Sequence, residues 1–280
     1  MREQAPGKVN LCLFLGPART DGRHELVTVL ESVSLFDELT LTVASEDEVV
    51  CPGVRAPNLV TDALRLLREY GWDGPPVRIE ITKRIPVAAG MAGGSADAAA
   101  ALRLAAHLAP VGAGTAVEIA AALGSDVPSQ LAPGLALGTG AGDVVEPLRA
   151  LAPHAFAIVP LPHALSTPAV YAEADRLGLG RALDELRALR AEWRGSVGVN
   201  DLEAASRSLC PAIDDALAEL RGAGAEQAFV CGSGPTCAGI WWGAEASDLA
   251  GAAANSLVPR FPGATAVVPV TGIGHNSPFV

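Results

Sequence analysis

Pro86-Val87-Ala88-Ala89-Gly90-Met91-Ala92-Gly93-Gly94-Ser95-Ala96-Asp97-Ala98-Ala99-Ala100-Ala101-Leu102 leads from a strand-like segment at 77–81 into an alanine-rich stretch that reads as a helix over 95–108. It is a glycine loop feeding a helix N-terminus. Glycines remove Cβ atoms and let backbone N–H groups approach a ligand, and the first helical turn adds unpaired donors and the positive end of a dipole. Together these make an anion site, most often a phosphate site. Ser95 suits an N-cap or a hydroxyl ligand, and Asp97 suits the first turn provided that its carboxylate points away from the anion. Neither common nucleotide fingerprint is present: no Lys-Ser/Thr follows the glycines, and no G-x-G-x-x-G opens the unit. A flexible surface loop capped by an alanine helix is the competing interpretation, since glycine clusters are common punctuation.

Outside this stretch the chain has the composition of an ordinary globular protein. Its 280 residues are half hydrophobic, leaning on Ala, Val and Leu, with 4% aromatics. That length suits one large or two modest domains. A formal net charge of −11, with no run of Lys or Arg, disfavours nucleic-acid binding. Cys12, Cys51, Cys210, Cys231 and Cys237 lack C-x-x-C spacing and read as small hydrophobes in a reducing cytoplasm, with no disulfide framework or zinc site. The five histidines show no ligand spacing. The first residues carry no signal-peptide pattern, and no stretch reaches the roughly 18 apolar residues of a membrane span.

Along the chain, strands are predicted over 8–15, 25–35, 38–43 and 77–81, and a helix over 58–70 with Asn58 as N-cap after Pro57 and Gly71 as the stop. A second alanine helix covers 115–123 and closes at Gly124. A strand follows at 135–139, and the proline-rich 147–153 reads as the crossing between two halves. Beyond it come a buried strand at 155–160, helices at 167–177 and 182–193, and a helical stretch opening at Asn200-Asp201-Leu202. A helix at 213–222 precedes two strands, 228–231 and 237–242, joined by Gly232-Ser233-Gly234-Pro235. A helix at 244–258, a strand at 264–270 and a loose tail over the last ten residues complete the chain. Meander and β-helix-β order are mixed, so the class is α+β with two lobes.

A phosphate loop names a nucleotide and leaves the reaction to charged groups elsewhere. In Ala5-Pro6-Gly7-Lys8-Val9-Asn10, strand alternation puts Lys8 and Asn10 on one face. By spacing alone Lys8 is as well read as a solvated edge lysine. Asp126, after the helix-ending Gly124 and before Val127-Pro128, is either an N-cap or a carboxylate able to take a proton from a substrate hydroxyl.

The loop PVAAGMAGGSADAA resembles the ATP-binding loop of the GHMP small-molecule kinases, whose pattern is P-x-x-x-G-L-G-S/G-S-S-A/D-A-A. Ala92 stands where that family usually has glycine, and Ala96 where it usually has serine. A sharper resemblance, to the branch of that family that phosphorylates a CDP-linked methylerythritol, runs through A-P-G-K-V-N-L-C-L (5–13), D-G-R-H-E-L-V-T-V (21–29), F-D-E-L-T-L (36–41), P-N-L-V (57–60), K-R-I-P (83–86), L-G-S-D-V-P (123–128), S-T-P-x-x-Y (166–171), N-D-L-E (200–203) and G-S-G-P-T-C (232–237). These segments are collinear and span nearly the whole chain.

The resemblance implies an α+β, two-lobed GHMP-kinase-like fold: a β-rich, βαβ N-terminal lobe over 1–148 and a ferredoxin-like C-terminal lobe over 149–280. It implies ATP and Mg²⁺ as cofactors, a CDP-linked methylerythritol as the small-molecule substrate, a cytoplasmic setting, and a monomer or weak homodimer with no nucleic-acid or membrane partner. By motif, Asp126 is the general base and Lys8 polarises the hydroxyl. Pro86, Gly90, Met91, Ala92, Gly93, Gly94 and Ser95 hold the ATP phosphates, with Ser95 also the magnesium contact. Asn58 and Lys83 lie near adenine, and Gly232, Ser233 and Gly234 back the phosphates from the second lobe. Asn10 and Thr167 hold the acceptor, His24 meets the cytosine edge, and Tyr171 stacks on the base. Arg23 replaces the family's stacking tyrosine; a guanidinium plane can also stack on a base or meet a phosphate. A GHMP kinase for a different alcohol, and a catalytically silent nucleotide sensor on the same fold, are the other functions compatible with these residues.

Overall fold

The strand predicted over 8–15 is the middle of a much longer one. In the computed structural model, which describes residues 1–54, 58–193, 195–270 and 278–279, β1 (Arg2–Ala18) and β2 (His24–Val43) form an antiparallel pair. Pro57, and all of the expected tail except 278–279, lie outside the described residues. Where the sequence suggests two strands divided near residue 36, β2 is continuous. The irregularity is taken up as a register shift, with Pro6 facing Phe36 and Gly7 facing Val33. A bulge of this kind bends and twists a strand without ending it.

β3 (Glu48–Val50) and α1 (Leu59–Glu69) follow, then β4 (Val77–Thr82) and α2 (Gly93–Leu108). Asn58 caps α1 as expected, its Oδ1 accepting from Val60 N at 2.9 Å. α2 is buried without a break over 96–105 and lies among β1, β2, α1, α3 (Ala113–Leu123) and α4 (Val127–Gln130). Alanines at 96 and 98–101 let those neighbours approach on every side, which explains a helix with almost no polar face. β5 (Leu135–Thr139) and β6 (Val144–Pro147) complete the N-terminal half. The first sheet has the order β3-β4-β2-β1, with β5 on the far part of β2 and β6 on β5.

After the proline-rich crossing come β7 (His154–Val159), α5 (Thr167–Leu177), α6 (Leu183–Glu192), β8 (Val199–Asn200), α7 (Glu203–Leu209), α8 (Ala212–Gly222), β9 (Gln227–Val230), β10 (Cys237–Trp242), α9 (Ala246–Leu257) and β11 (Thr265–Val267). The second sheet, β11-β7-β10-β9, is antiparallel throughout. Alternation along β7 divides its side chains between two cores. Ala155, Ala157 and Val159 meet α8 and α9, while Phe156 and Ile158 pack on Val9, Leu11, Val27 and Val29 of the first sheet. The fold is thus α+β, two sheets meeting back to face with helices outside.

Two segments from the second half return to the first sheet. β8, where the sequence suggests the opening of a helix, pairs in parallel with β1 through Cys12–Val199 and Leu13–Asn200. Residues 268–270 run beside β2: Ser34 N donates to Val268 O and Val270 N to Ser32 O. Among the described residues no helix is long and apolar enough to cross a membrane.

Candidate active site

Lys8 is a buried residue of a central strand, 4% exposed, and the edge-lysine alternative falls. Strand alternation does place it beside Asn10: Lys8 Nζ donates to Asn10 Oδ1 at 2.6 Å. Asn10 Nδ2 donates to Thr28 Oγ1 at 2.8 Å, and Thr28 Oγ1 donates to Cys12 O at 2.7 Å. The Thr28 hydroxyl has given its one proton to that carbonyl, so it can only accept from Asn10, which turns the amide oxygen toward the ammonium. Asp126 stands across from Lys8, Oδ2 3.8 Å from Nζ, with a side chain 38% exposed. It occupies the N-cap position of α4 yet makes no capping hydrogen bond. Its carboxylate is therefore turned to the cavity.

That cavity, about 570 Å³, lies between the lobes. Besides Lys8, Asn10, Thr28 and Asp126 it is lined by Asn58, Lys83, Pro86, Gly90, Ala92, Gly93, Gly94, Ser95 and Asp97, and from the second half by Thr167, Tyr171 and the 232–234 turn. Met91 is an exception to the expected phosphate set. Its side chain is 1% exposed within the core between the sheets, and its carbonyl accepts from Lys8 N at 3.0 Å, tying the loop to β1. Ser95 is not the N-cap either. Ala92 holds that place with φ +54, and Ser95 is the third residue of α2.

Two glycine turns touch at the centre of the site. A Cβ on Gly90, whose φ is +77, would lie 2.6 Å from Cys231 O and 3.0 Å from Gly234 O. One on Gly232, φ +56, would lie 3.0 Å from Asn10 Oδ1 and 3.2 Å from Lys8 Nζ. Only residues without side chains allow this approach. Ala88 and Ala92 share the left-handed conformation, φ +56 and +54, despite carrying a Cβ, at a cost of roughly 1–2 kcal/mol each.

Beneath the loop, Lys83 bridges two buried carboxylates, Asp37 and, at 2.7 Å, Asp97. Asp37 also accepts from Arg84 N at 2.5 Å and Ile85 N at 2.9 Å, fixing the entry to the loop. Burial pushes the Asp97 carboxyl up to about 7 against the pull of Lys83, and its Oδ1 is buried without a hydrogen-bond partner. Burial likewise lowers the Lys83 ammonium, but the charge and hydrogen bonds of its two carboxylates more than reverse this and raise it. Asp97 is thus turned to Lys83, whose ammonium would lie 3.2 Å from a Cβ on Gly93 at the start of α2.

His24 and Arg23 stand outside the cavity lining. His24 is 7% exposed and lies one layer behind Tyr171, ring centroids 5.2 Å apart, with Nε2 2.8 Å from Asp175 Oδ1. Arg23 turns to the surface, its guanidinium held by Asp21 at 2.9 Å and Asp143 at 3.2 Å. Burial, then the nearby Asp126 charge, raises the Tyr171 hydroxyl to about 12, so it remains neutral. Thr167 Oγ1 lies 3.0 Å from Ser233 Oγ. Thr28, Asp37 and Asp175 escaped the sequence reading. Each acts through a partner distant in sequence, and no local spacing announces such a contact.

The profile of the GHMP kinases N terminal domain matches residues 58–134, and that of the GHMP kinases C terminal domain matches 169–259. The chain is 43% identical over 269 residues to the 4-diphosphocytidyl-2-C-methyl-D-erythritol kinase of Streptomyces coelicolor, covering 89% of this chain and 90% of that one. The chain belongs to the GHMP kinase family. Another relative of this GHMP kinase is the 4-diphosphocytidyl-2-C-methyl-D-erythritol kinase of Salinispora tropica, 39% identical over 294 residues, 97% of this chain and 93% of the other. A crystal structure of 4-(cytidine 5'-diphospho)-2C-methyl-D-erythritol kinase superposes with a TM-score of 0.81 at 33% identity, covering 97% and 100% of the two chains. Leishmania major mevalonate kinase shares the fold of this GHMP kinase at 14% identity, with a TM-score of 0.67 over 96% and 95% of the chains.

Proposed function

We propose that this kinase transfers the γ-phosphoryl group of ATP to the tertiary 2-hydroxyl of 4-diphosphocytidyl-2-C-methyl-D-erythritol, a step of non-mevalonate isoprenoid precursor synthesis. The observation that carries the reading is the facing of Lys8 and Asp126 in one cavity with the glycine loop. A phosphoryl transfer asks little covalent chemistry of the protein; it needs positioning, charge stabilisation and a base for the attacking hydroxyl.

Asp126 is the base. It takes the hydroxyl proton as the oxygen bonds to the γ-phosphorus and the bond to the β,γ-bridging oxygen breaks, with ADP leaving. Lys8 stands across from Asp126 and, with its direction set by Asn10 and Thr28, polarises the same hydroxyl. Gly90 and Ala92 to Ser95 hold the phosphates with backbone donors at the positive end of α2, Pro86 borders them without a donor of its own, and the 232–234 turn closes them in from the second lobe. Asn58 and Lys83 border the adenine side. Asn10 and Thr167 hold the methylerythritol, and Tyr171 with His24 receives the cytosine. Asp175 can only accept, so His24 Nε2 carries hydrogen and Nδ1 is left as an acceptor. Arg23 is held at the surface by two carboxylates, outside the cavity lining.

The Ser95 hydroxyl, a hard oxygen donor on the cavity wall, fits a magnesium ion that keeps most of its waters. When bound, Mg²⁺ neutralises charge on the β- and γ-phosphates. All five cysteines are free, in accord with a reducing cytoplasm.

The test is ATP consumption with the CDP-linked methylerythritol beside homoserine, mevalonate and galactose, with the product located by phosphorus NMR. Turnover confined to the cytidine compound is expected. Turnover with one of the other alcohols instead, or ATP binding without turnover on any of them, would overturn the reading.

A further inference from the structure

The segment Asn200-Asp201-Leu202-Glu203 has no part in the chemistry above, yet it joins the two halves of the site. β8 lies against β1, reinforced by Gly198 N donating to Leu11 O at 2.7 Å and Asp201 N to Leu13 O at 2.9 Å. Asp201 accepts from Leu15 N at 2.9 Å and is clamped by Arg181, with Nε–Oδ2 2.5 Å and Nη2–Oδ1 2.8 Å. Residues 198–201 are thereby part of the strand that carries Lys8 and Asn10. From this base the half-buried Asn200 side chain reaches the other lobe. Nδ2 donates to Val230 O at 2.8 Å and to Gly232 O at 2.7 Å, while Oδ1 accepts from Leu202 N at 2.9 Å.

All three bonds fix the amide's orientation, because nitrogen faces two carbonyls and oxygen faces an N–H. The requirement is for two donors and one acceptor at short reach. Asparagine meets it; aspartate has no donors and serine has one. The two carbonyls bracket Cys231, whose own carbonyl is the atom nearest the position a Cβ on Gly90 would take. The Ser206 hydroxyl lies beneath the same turn, its one proton shared between Leu202 O at 3.0 Å and Ser233 O at 3.2 Å.

We infer that Asn200 is a positioning residue for nucleotide binding: it ties the 231–234 turn to the Lys8 strand and so sets how that turn seats against the Gly90 turn on the cavity wall. The inference rests on the proposed function, in that the nucleotide phosphates lie in the cavity that both turns line. Asn200→Asp keeps the acceptor for Leu202 and loses both donors, placing a carboxylate against two carbonyl oxygens. Asn200→Ala removes all three bonds without adding charge, so the two variants separate loss of the bonds from introduction of a carboxylate.

The measurements are MgADP affinity by calorimetry, amide hydrogen exchange over 231–234, melting temperature, and the KM and kcat for ATP. Expected for either variant is a rise of about tenfold in the MgADP Kd and in the KM for ATP, roughly what two lost hydrogen bonds represent. Faster exchange confined to 231–234 and a melting temperature close to the parent's are expected alongside. A variant that melts early yet binds MgADP like the parent at low temperature would make Asn200 structural only and overturn the inference. The parent's activity on the cytidine acceptor is scored separately: its absence with weakened MgADP binding in the variant would sink the substrate assignment and leave Asn200's role standing.

Discussion

The Lys8 ammonium lies 3.8 Å from the Asp126 carboxylate, beyond hydrogen-bonding distance, while it donates to Asn10 at 2.6 Å. The gap leaves the Asp126 carboxylate without a hydrogen bond from Lys8 and open to a hydroxyl placed between them. Asp126→Asn is therefore expected to lower kcat by about 10²- to 10⁴-fold. MgADP affinity should change less than about threefold, well under one hydrogen bond's worth. Steady-state kinetics beside calorimetry makes the check, and undiminished turnover would remove Asp126 from the role of base.

Ala92 takes a left-handed backbone as the N-cap of α2. Ala92→Gly removes a strain of roughly 1–2 kcal/mol and restores 0.5–1 kcal/mol of unfolded-chain entropy, for a net gain of roughly 0.5 kcal/mol. Gly90→Ala runs the other way, with a Cβ driven onto Cys231 O. It should raise the KM for ATP and destabilise by about 1–3 kcal/mol. Urea denaturation of both variants reads the two signs, and equal effects would mean that loop strain is not what distinguishes them.

Lys83 neutralises two buried acids at once. Its replacement by Met leaves Asp37 and Asp97 uncompensated and is expected to cost about 3–5 kcal/mol; adding Asp97→Asn should recover part of that loss. In the parent, the folded state keeps the Asp97 proton up to about pH 7, whereas the unfolded chain releases it near the ordinary carboxyl value of 3.8. Stability from this group therefore falls as pH rises between those values. Asp97→Asn should make the fall in unfolding free energy between pH 4 and 7 shallower than in the parent; an unchanged slope would remove Asp97 as its source.

His154 and Glu31 form the charged contact between the sheets, Nε2 to Oε2 at 2.7 Å, with side chains 2% and 4% exposed. The second ring nitrogen donates to Ala152 O at 2.8 Å. Burial alone would lower the imidazole, but the hydrogen bond and charge of Glu31, with the Ala152 carbonyl, outweigh it and raise the group above 6.5. A raised histidine contributes fully below its unfolded value and loses that contribution as pH rises through the folded one. Melting temperature should accordingly decline above pH 6.5. Glu31→Gln should flatten the profile and cost about 3–5 kcal/mol at pH 6. A sloping profile in Glu31→Gln would assign the decline to other groups.

Much of this was legible along the chain, for reasons that differ by residue. Lys8 and Asn10 share a face because strand period is two, and that could be counted. The helix over 95–108 and its glycine entry follow from composition, although the helix begins two residues earlier, at Gly93. Asp126 was ambiguous, because the residue that decides it, Lys8, lies in another strand. Asp37 under the loop, Thr28 behind Asn10 and β8 beside β1 are pairings of distant segments, and no periodicity encodes a partner. The placement of Arg23 depended on Asp143, 120 residues away.

The parallel pairing of β8 with β1 also sets an order on synthesis. β1 leaves the ribosome well before β8, and the edge that receives Val199 and Asn200 stays open until they follow, on the order of ten to forty seconds later at ordinary elongation rates. Through that interval the nascent chain carries an unpaired, hydrophobic strand edge, a template for pairing with other chains. The enzyme's yield in the cell thus depends on what shelters residues 11–15 before the second half arrives.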